Sequence, residues 1–108
     1  MTYFVYMLRC ADGSLYTGIT NDVARRMTRH TDGRAAGGAK YTASHKPLRL
    51  ECVWGCTDRS AALRLEYRIK ALPKAKKEAL AADPSLLAAL TPLDPAPYSP
   101  QPVVPTDL

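Results

Sequence analysis

Tyr16 stands two residues ahead of Gly18, and Arg25, Arg26, Arg29 and His30 follow closely. A tyrosine hydroxyl and a guanidinium brought together at a strand end suggest a phosphate site, because arginine offers a planar fork of donors to two phosphate oxygens. Residues 15–30 read as a strand that breaks at Gly18 and feeds a helix. The strand then carries the hydroxyl and the helix carries the cations. With Val23, Ala24 and Met27 as the apolar stripe, Arg26 and His30 lie on one flank at i and i+4 and can reach the sheet. Arg25 and Arg29 point outward, toward water or a distant phosphate.

A second tyrosine joins the first only in one strand register. Residues 3–10 are rich in aromatic and β-branched side chains and apolar on both faces, so they read as a central strand. Residues 14–19 read as its hairpin partner. A two-residue Asp12-Gly13 turn would put Tyr6 and Tyr16 on opposite faces. A three-residue loop with Gly13 left-handed sets Cys10 opposite Ser14, Leu8 opposite Tyr16 and Tyr6 opposite Gly18. In that register the tyrosines share a face, since a one-residue slip inverts every side chain. The three-residue loop is the form expected.

Thr20 or Asn21 is expected to cap the first helix, with Asp22 in its first turn. Residues 31–46 read as a long, Gly-rich, basic loop carrying Arg34, Lys40, His45 and Lys46. Residues 48–54 are a third strand. Thr57 or Asp58 caps a second helix running to about Leu72, with Ala62, Leu65, Ile69 and Leu72 buried. Glu66 sits at the edge of that stripe, while Arg64 and Arg68 face outward. Pro73 can open a third helix at its first position. That helix covers residues 74–82, with Ala75, Ala79 and Leu80 apolar. The folded domain is thus expected over residues 1–83. The Pro-rich segment 84–108 is expected to hold at most a short helical turn at 86–90, then a disordered or extended tail.

At 108 residues with a formal charge of +5, the chain reads as one small basic domain, which favours an anionic partner such as nucleic acid. Cys10, Cys52 and Cys56 are an odd number without a disulfide framework and are expected to be buried as small apolar residues. No apolar run approaches the ~20 residues a bilayer span needs. The N-terminus does not read as a signal peptide, so a reducing cytoplasm is the expected compartment, with no membrane partner.

The order Phe4-Val5-Tyr6, Tyr16-Thr17-Gly18, Arg26 and His30 on a helix, and Glu66 on a later helix resembles the GIY-YIG nuclease domain, most closely its small stand-alone bacterial members. The run from Tyr16 to Asp22, with Arg26 at its family spacing, is the specific portion. The resemblance implies an α+β fold, a three-stranded antiparallel sheet flanked by helices in the order β-β-α-β-α-α. It also implies metal-dependent hydrolysis of phosphodiester bonds. Tyr6 and Tyr16 match the two motif tyrosines, and Gly18 matches the second-motif glycine. Arg26 matches the helix arginine, His30 the histidine one turn on, and Glu66 the metal-binding glutamate. Two features depart from the pattern. Phe4-Val5 replaces Gly-Ile, and the family asparagine after the glutamate has no counterpart, since Asn21 is the only Asn of the chain.

These residue types suit the implied chemistry. Arg26 can hold non-bridging phosphate oxygens, and Glu66 can hold a single Mg²⁺ or Mn²⁺, mostly through water. Tyr6 can act as general base toward water, with His30 assisting, provided a neighbouring cation lowers its pKa from about 10. Tyr16 would hydrogen-bond the phosphate or the water. Gly18, Arg25, Arg29, Arg34, Lys40, His45 and Lys46 are the expected nucleic-acid contacts. The expected partner is DNA rather than RNA, met by a monomer in repair or recombination. With no second DNA-binding domain in view, recognition of branched structures or single strands is expected. Plainer uses compete: core tyrosines, a solvated arginine, a histidine favouring a helix C-terminus, and a glutamate paired with Arg26 or Lys70. Two other function classes also compete. One is a DNA-binding module of the same fold without catalysis. The other is an interaction protein whose Pro-rich tail recruits a partner.

Overall fold

The structure, a computed structural model, describes residues 2–32 and 46–103. Strand β1 (Tyr3–Cys10) pairs antiparallel with β2 (Leu15–Thr20) in the three-residue-loop register. Tyr6 lies opposite Gly18 and Leu8 opposite Tyr16. Gly13 takes φ +85°, where a side chain would be strained, and its N–H donates to the Cys10 carbonyl at 2.9 Å. The Cys10 N–H in turn donates to the Ser14 carbonyl at 2.9 Å, closing the loop.

Helix α1 (Val23–Asp32) follows β2. Its cap is Asp22, one or two residues later than expected: the Asp22 carboxylate accepts the Arg25 N–H at 3.1 Å. The Thr20 hydroxyl accepts the Asp22 N–H at 3.0 Å and holds the cap in place. Val23 and Met27 pack on the sheet, whereas Ala24, expected in the same stripe, is exposed. The helix also takes in Thr31 and Asp32, which were expected in the loop.

Strand β3 (Pro47–Cys56) pairs with β1 on the other side from β2 and is longer than expected at both ends. Helix α2 (Arg59–Lys70) is capped by Asp58, whose carboxylate accepts the Ala61 N–H at 2.8 Å. Its buried stripe is Ala61, Ala62, Leu65 and Ile69. Helix α3 (Lys74–Ala82) starts one residue past Pro73, which caps it through its carbonyl. Leu80 and Ala81 are its buried residues, while Ala75 is exposed.

The segment after Pro84 departs most from the sequence reading. A 3-10 turn (Pro84–Leu86) and the short helix α4 (Leu87–Leu90) lead to a fourth strand, β4 (Tyr98–Gln101), antiparallel to β3. The segment is extended in part, as expected, but its described residues form regular elements and share the core of the rest. The sheet is therefore four-stranded, in the order β2-β1-β3-β4, rather than three-stranded. Side chains hold the segment down. The buried Tyr98 donates its hydroxyl to the Ala61 carbonyl at 2.8 Å, and the Trp54 indole N–H reaches the Pro84 carbonyl at 3.1 Å. Pro100 is tolerated because β4 is an edge strand, where a missing N–H costs no ladder bond.

The sheet separates two apolar layers. On one face Val5, Met7, Cys52, Trp54 and Cys56 pack against α2, α3 and the C-terminal segment. The three cysteines are free and buried. On the other face Tyr6, Leu8 and Val53 form a smaller cluster with Tyr16 and with Val23 and Met27 of α1. Arg9 ties β1 to α3 and β3 at once, through Glu78 at 2.6 Å and Glu51 at 3.1 Å.

Candidate active site

The hairpin register delivers both tyrosines to the α1 face. Their ring centroids are 6.2 Å apart with planes tilted by 48°. Tyr6 is only 1% exposed, while Tyr16 at the edge strand is half-buried. Gly18 makes the pair possible: a Cβ there would stand 2.5 Å from the Tyr6 hydroxyl oxygen and 3.0 Å from the Tyr16 ring. Gly18, expected among the nucleic-acid contacts, thus has a packing reason of its own.

The electrostatics link these tyrosines to two charges. Burial pushes Tyr6 well above the ordinary tyrosine range, and Tyr16 and Glu66 push it further; Arg26 acts the opposite way. Burial also raises Tyr16, with Glu66 next and Arg26 again opposing. The hydrogen bond between the two hydroxyls raises Tyr6 and lowers Tyr16, the pattern of Tyr6 donating to Tyr16. Arg26 is placed to lower Tyr6, but desolvation outweighs it.

Glu66 reaches this group from α2, which packs on β1 and on the edge strand β2. Its side chain is 21% exposed and pairs with the exposed Lys70 at 3.3 Å, one turn on. The plainer use foreseen for Glu66 is thus present, alongside its action on both tyrosines. Among the described residues it is the carboxylate that acts on Tyr6 and Tyr16, and no cluster of three or more metal-ligating side chains is found. One carboxylate suits a hard cation that keeps most of its water shell; it does not suit a soft metal that needs several protein ligands.

Arg26 is half-buried in the first turns of α1 and Arg25 is exposed. His30 and Arg29 lie further along the same helix, with side chains outside the described part. Arg34, Lys40 and His45 also lie outside the described residues. Lys46 is exposed, and its carbonyl accepts the Ala11 N–H at the β1–β2 turn. That is the end of the sheet opposite the β2–α1 junction.

One cluster was not read from the sequence. Tyr3, Thr20, Asn21, Arg25, Arg26 and Arg59 line a cleft of about 340 Å³. Its signal lay in topology. Tyr3 pairs with Cys56 and Phe4 with Thr20, so the start of β1 and the residues just after β2 and β3 share one sheet end.

Comparison with known proteins sets this geometry in a family. Residues 2–79 match the GIY-YIG catalytic domain. A UPF0213 protein of Fusobacterium nucleatum is 48% identical over 84 residues, covering 78% of this chain and 81% of that protein. A UPF0213 protein of Vibrio cholerae is 53% identical over 83 residues, covering 74% and 77%. The solution NMR structure of a UPF0213 protein from Bacillus halodurans is 42% identical, with a TM-score of 0.50, covering 82% of this chain and 94% of that one.

Proposed function

The chain belongs to the GIY-YIG family of nucleases, and from that premise we propose that it is a divalent-metal-dependent endonuclease acting on branched or single-stranded DNA. The observation that carries this reading is the convergence of Tyr6, Tyr16, Arg26 and Glu66 from four separate elements, with both charges acting on both hydroxyls.

The residues divide the work by exposure. Arg26, at the margin of the sheet, holds the non-bridging oxygens of the scissile phosphate. Tyr16, the half-buried tyrosine, presents its oxygen to the attacking water and takes the proton in its tyrosinate form, which Arg26 and a bound cation would favour against burial. Tyr6 lies behind it and steadies that oxygen with its own hydroxyl, a positioning role in place of the base expected from the sequence. His30, one turn beyond Arg26, is placed on the helix to assist. Glu66 would hold Mg²⁺ or Mn²⁺, which when bound supplies positive charge to the leaving oxygen. A cation held there would take the place of Lys70 at the part-exposed Glu66 carboxylate.

The test is cleavage of labelled single-stranded, duplex, flap and branched DNA with Mg²⁺ or Mn²⁺. Wild type is compared with Glu66→Ala and Tyr16→Phe. Metal-dependent cutting lost in both variants supports the nuclease. A wild type that binds DNA in a salt-sensitive way without cutting defeats it and favours the binding module, a reading that the exposed arginines of the cleft would then carry.

A further inference from the structure

The cleft beside the tyrosines has a use beyond the four groups just described. Arg25 and Arg59 are both exposed, and they enter it from the first turn of α1 and the first residue of α2. Neither forms an ion pair with a described residue; Arg25 reaches only the Asn21 side-chain oxygen, at 3.3 Å. The nearest acids along the chain cap the two helices and do not line the cleft. Asp22 accepts the Arg25 backbone N–H, and Asp58 accepts the Ala61 N–H. Among the described residues no carboxylate lines the cleft. Two guanidinium groups held in one concave space without a counter-charge repel one another unless an anion joins them. Arg26 lines the same cleft and also acts on the tyrosine pair.

We propose that the cleft binds the phosphate next along the strand from the scissile one, with Arg25 and Arg59 as its charged contacts and Arg26 shared between the two subsites. The ligand class is a nucleic-acid phosphodiester. Tyr3 and Asn21 supply a ring and an amide at the same wall, suited to the sugar or base that accompanies that phosphate. The inference rests on the nuclease reading for the identity of the neighbouring phosphate. The cleft itself would place the strand and add affinity, leaving proton transfer to Tyr16.

The experiment measures binding of a labelled single-stranded oligonucleotide by anisotropy, without divalent metal, across a series of salt concentrations. The proteins are wild type, the double variant Arg25→Gln/Arg59→Gln, and Arg68→Gln. Arg68 is exposed on the outer side of α2 over the Tyr67 ring, so its loss controls for removing a surface arginine outside the cleft. The double variant should bind about tenfold more weakly at low salt, the size of a lost charge-assisted contact. Its salt slope should flatten by about 0.7 for one phosphate released, and Arg68→Gln should stay near wild type. With cutting measured in parallel, the double variant's loss should appear in KM. A double variant that matches Arg68→Gln in affinity and slope overturns the proposal. A wild type that never cuts defeats the nuclease reading instead, while the salt slope still decides whether the cleft holds phosphate.

Discussion

The Tyr6 hydroxyl occupies the space that a side chain on Gly18 would need: a Cβ there would sit 2.5 Å from the oxygen and 2.7 Å from the ring carbon that bears it. Gly18→Ala should therefore displace Tyr6 from Tyr16. Overpacking of this kind costs about 1–3 kcal/mol, and cutting should fall with it. Urea unfolding and cleavage rates check both. An alanine variant of full activity and stability would show that Tyr6 can move at no cost.

The two tyrosines should not be equivalent. Tyr16→Phe removes the group that faces water and should lower kcat by about 10²–10⁴-fold, the span of general base catalysis. Tyr6→Phe should lose about tenfold less, because Tyr16 survives without its donor. Single-turnover cleavage of one substrate by both variants decides the order. A larger loss in Tyr6→Phe would return the base to Tyr6.

Charge on Glu66 should be visible in the tyrosines themselves. It raises both, so Glu66→Gln should lower the pH at which they ionise, read from tyrosinate absorbance in the metal-free protein. Mg²⁺ should lower those ionisations in wild type and leave Glu66→Gln unmoved. The same shifts set the alkaline limit of the fold. Tyr6, Tyr16 and Tyr98 are all raised above 10, Cys56 is pushed up to about 11 and Cys52 to about 12, each first by burial. Groups raised in the folded state bind protons that the unfolded chain has released. Their contribution is therefore complete below pH 9, the ordinary thiol value, and drains away as pH climbs through 10 to 12. Urea midpoints should fall across that window, and Cys52→Ala should flatten the early part of the decline.

How much of this was legible in the sequence depended on the range of the interaction. The hairpin register followed from Gly13 and the loop length, both local, so the Tyr6–Tyr16 pairing could be read directly. The Asp58 cap and the α2 stripe were legible for the same reason. Ala24 misled because a short helix lying on a small cluster uses only Val23 and Met27 of its apolar side. Arg59 went unread because nothing in its own neighbourhood points to Arg25; only the antiparallel pairing of β1 with both neighbours brings them to one end. Tyr98 was hidden by the prolines around it, which mark extension but do not name the strand that receives it.

Removing residues 92–108 should expose the β3 edge and leave the Ala61 carbonyl without the Tyr98 hydroxyl. Lower thermal stability and self-association through the opened edge are expected, with the tyrosine pair unchanged. Scattering and thermal melts of the truncated chain measure both. A truncated protein as stable and as monomeric as the full chain would make β4 an ornament of the sheet.

The strand order places β4 beside β3, with β1 between that pair and β2, so the closing strand and the strand that carries Tyr16 lie at opposite margins of one sheet. The family match ends at residue 79, short of β4. Selection on the reaction and selection on the closing strand can then act on separate stretches of gene. A change in the C-terminal stretch would then reach the candidate site by one route, the Tyr98 hydroxyl on the Ala61 carbonyl of the helix that carries Glu66, and would leave the hairpin of the two tyrosines alone.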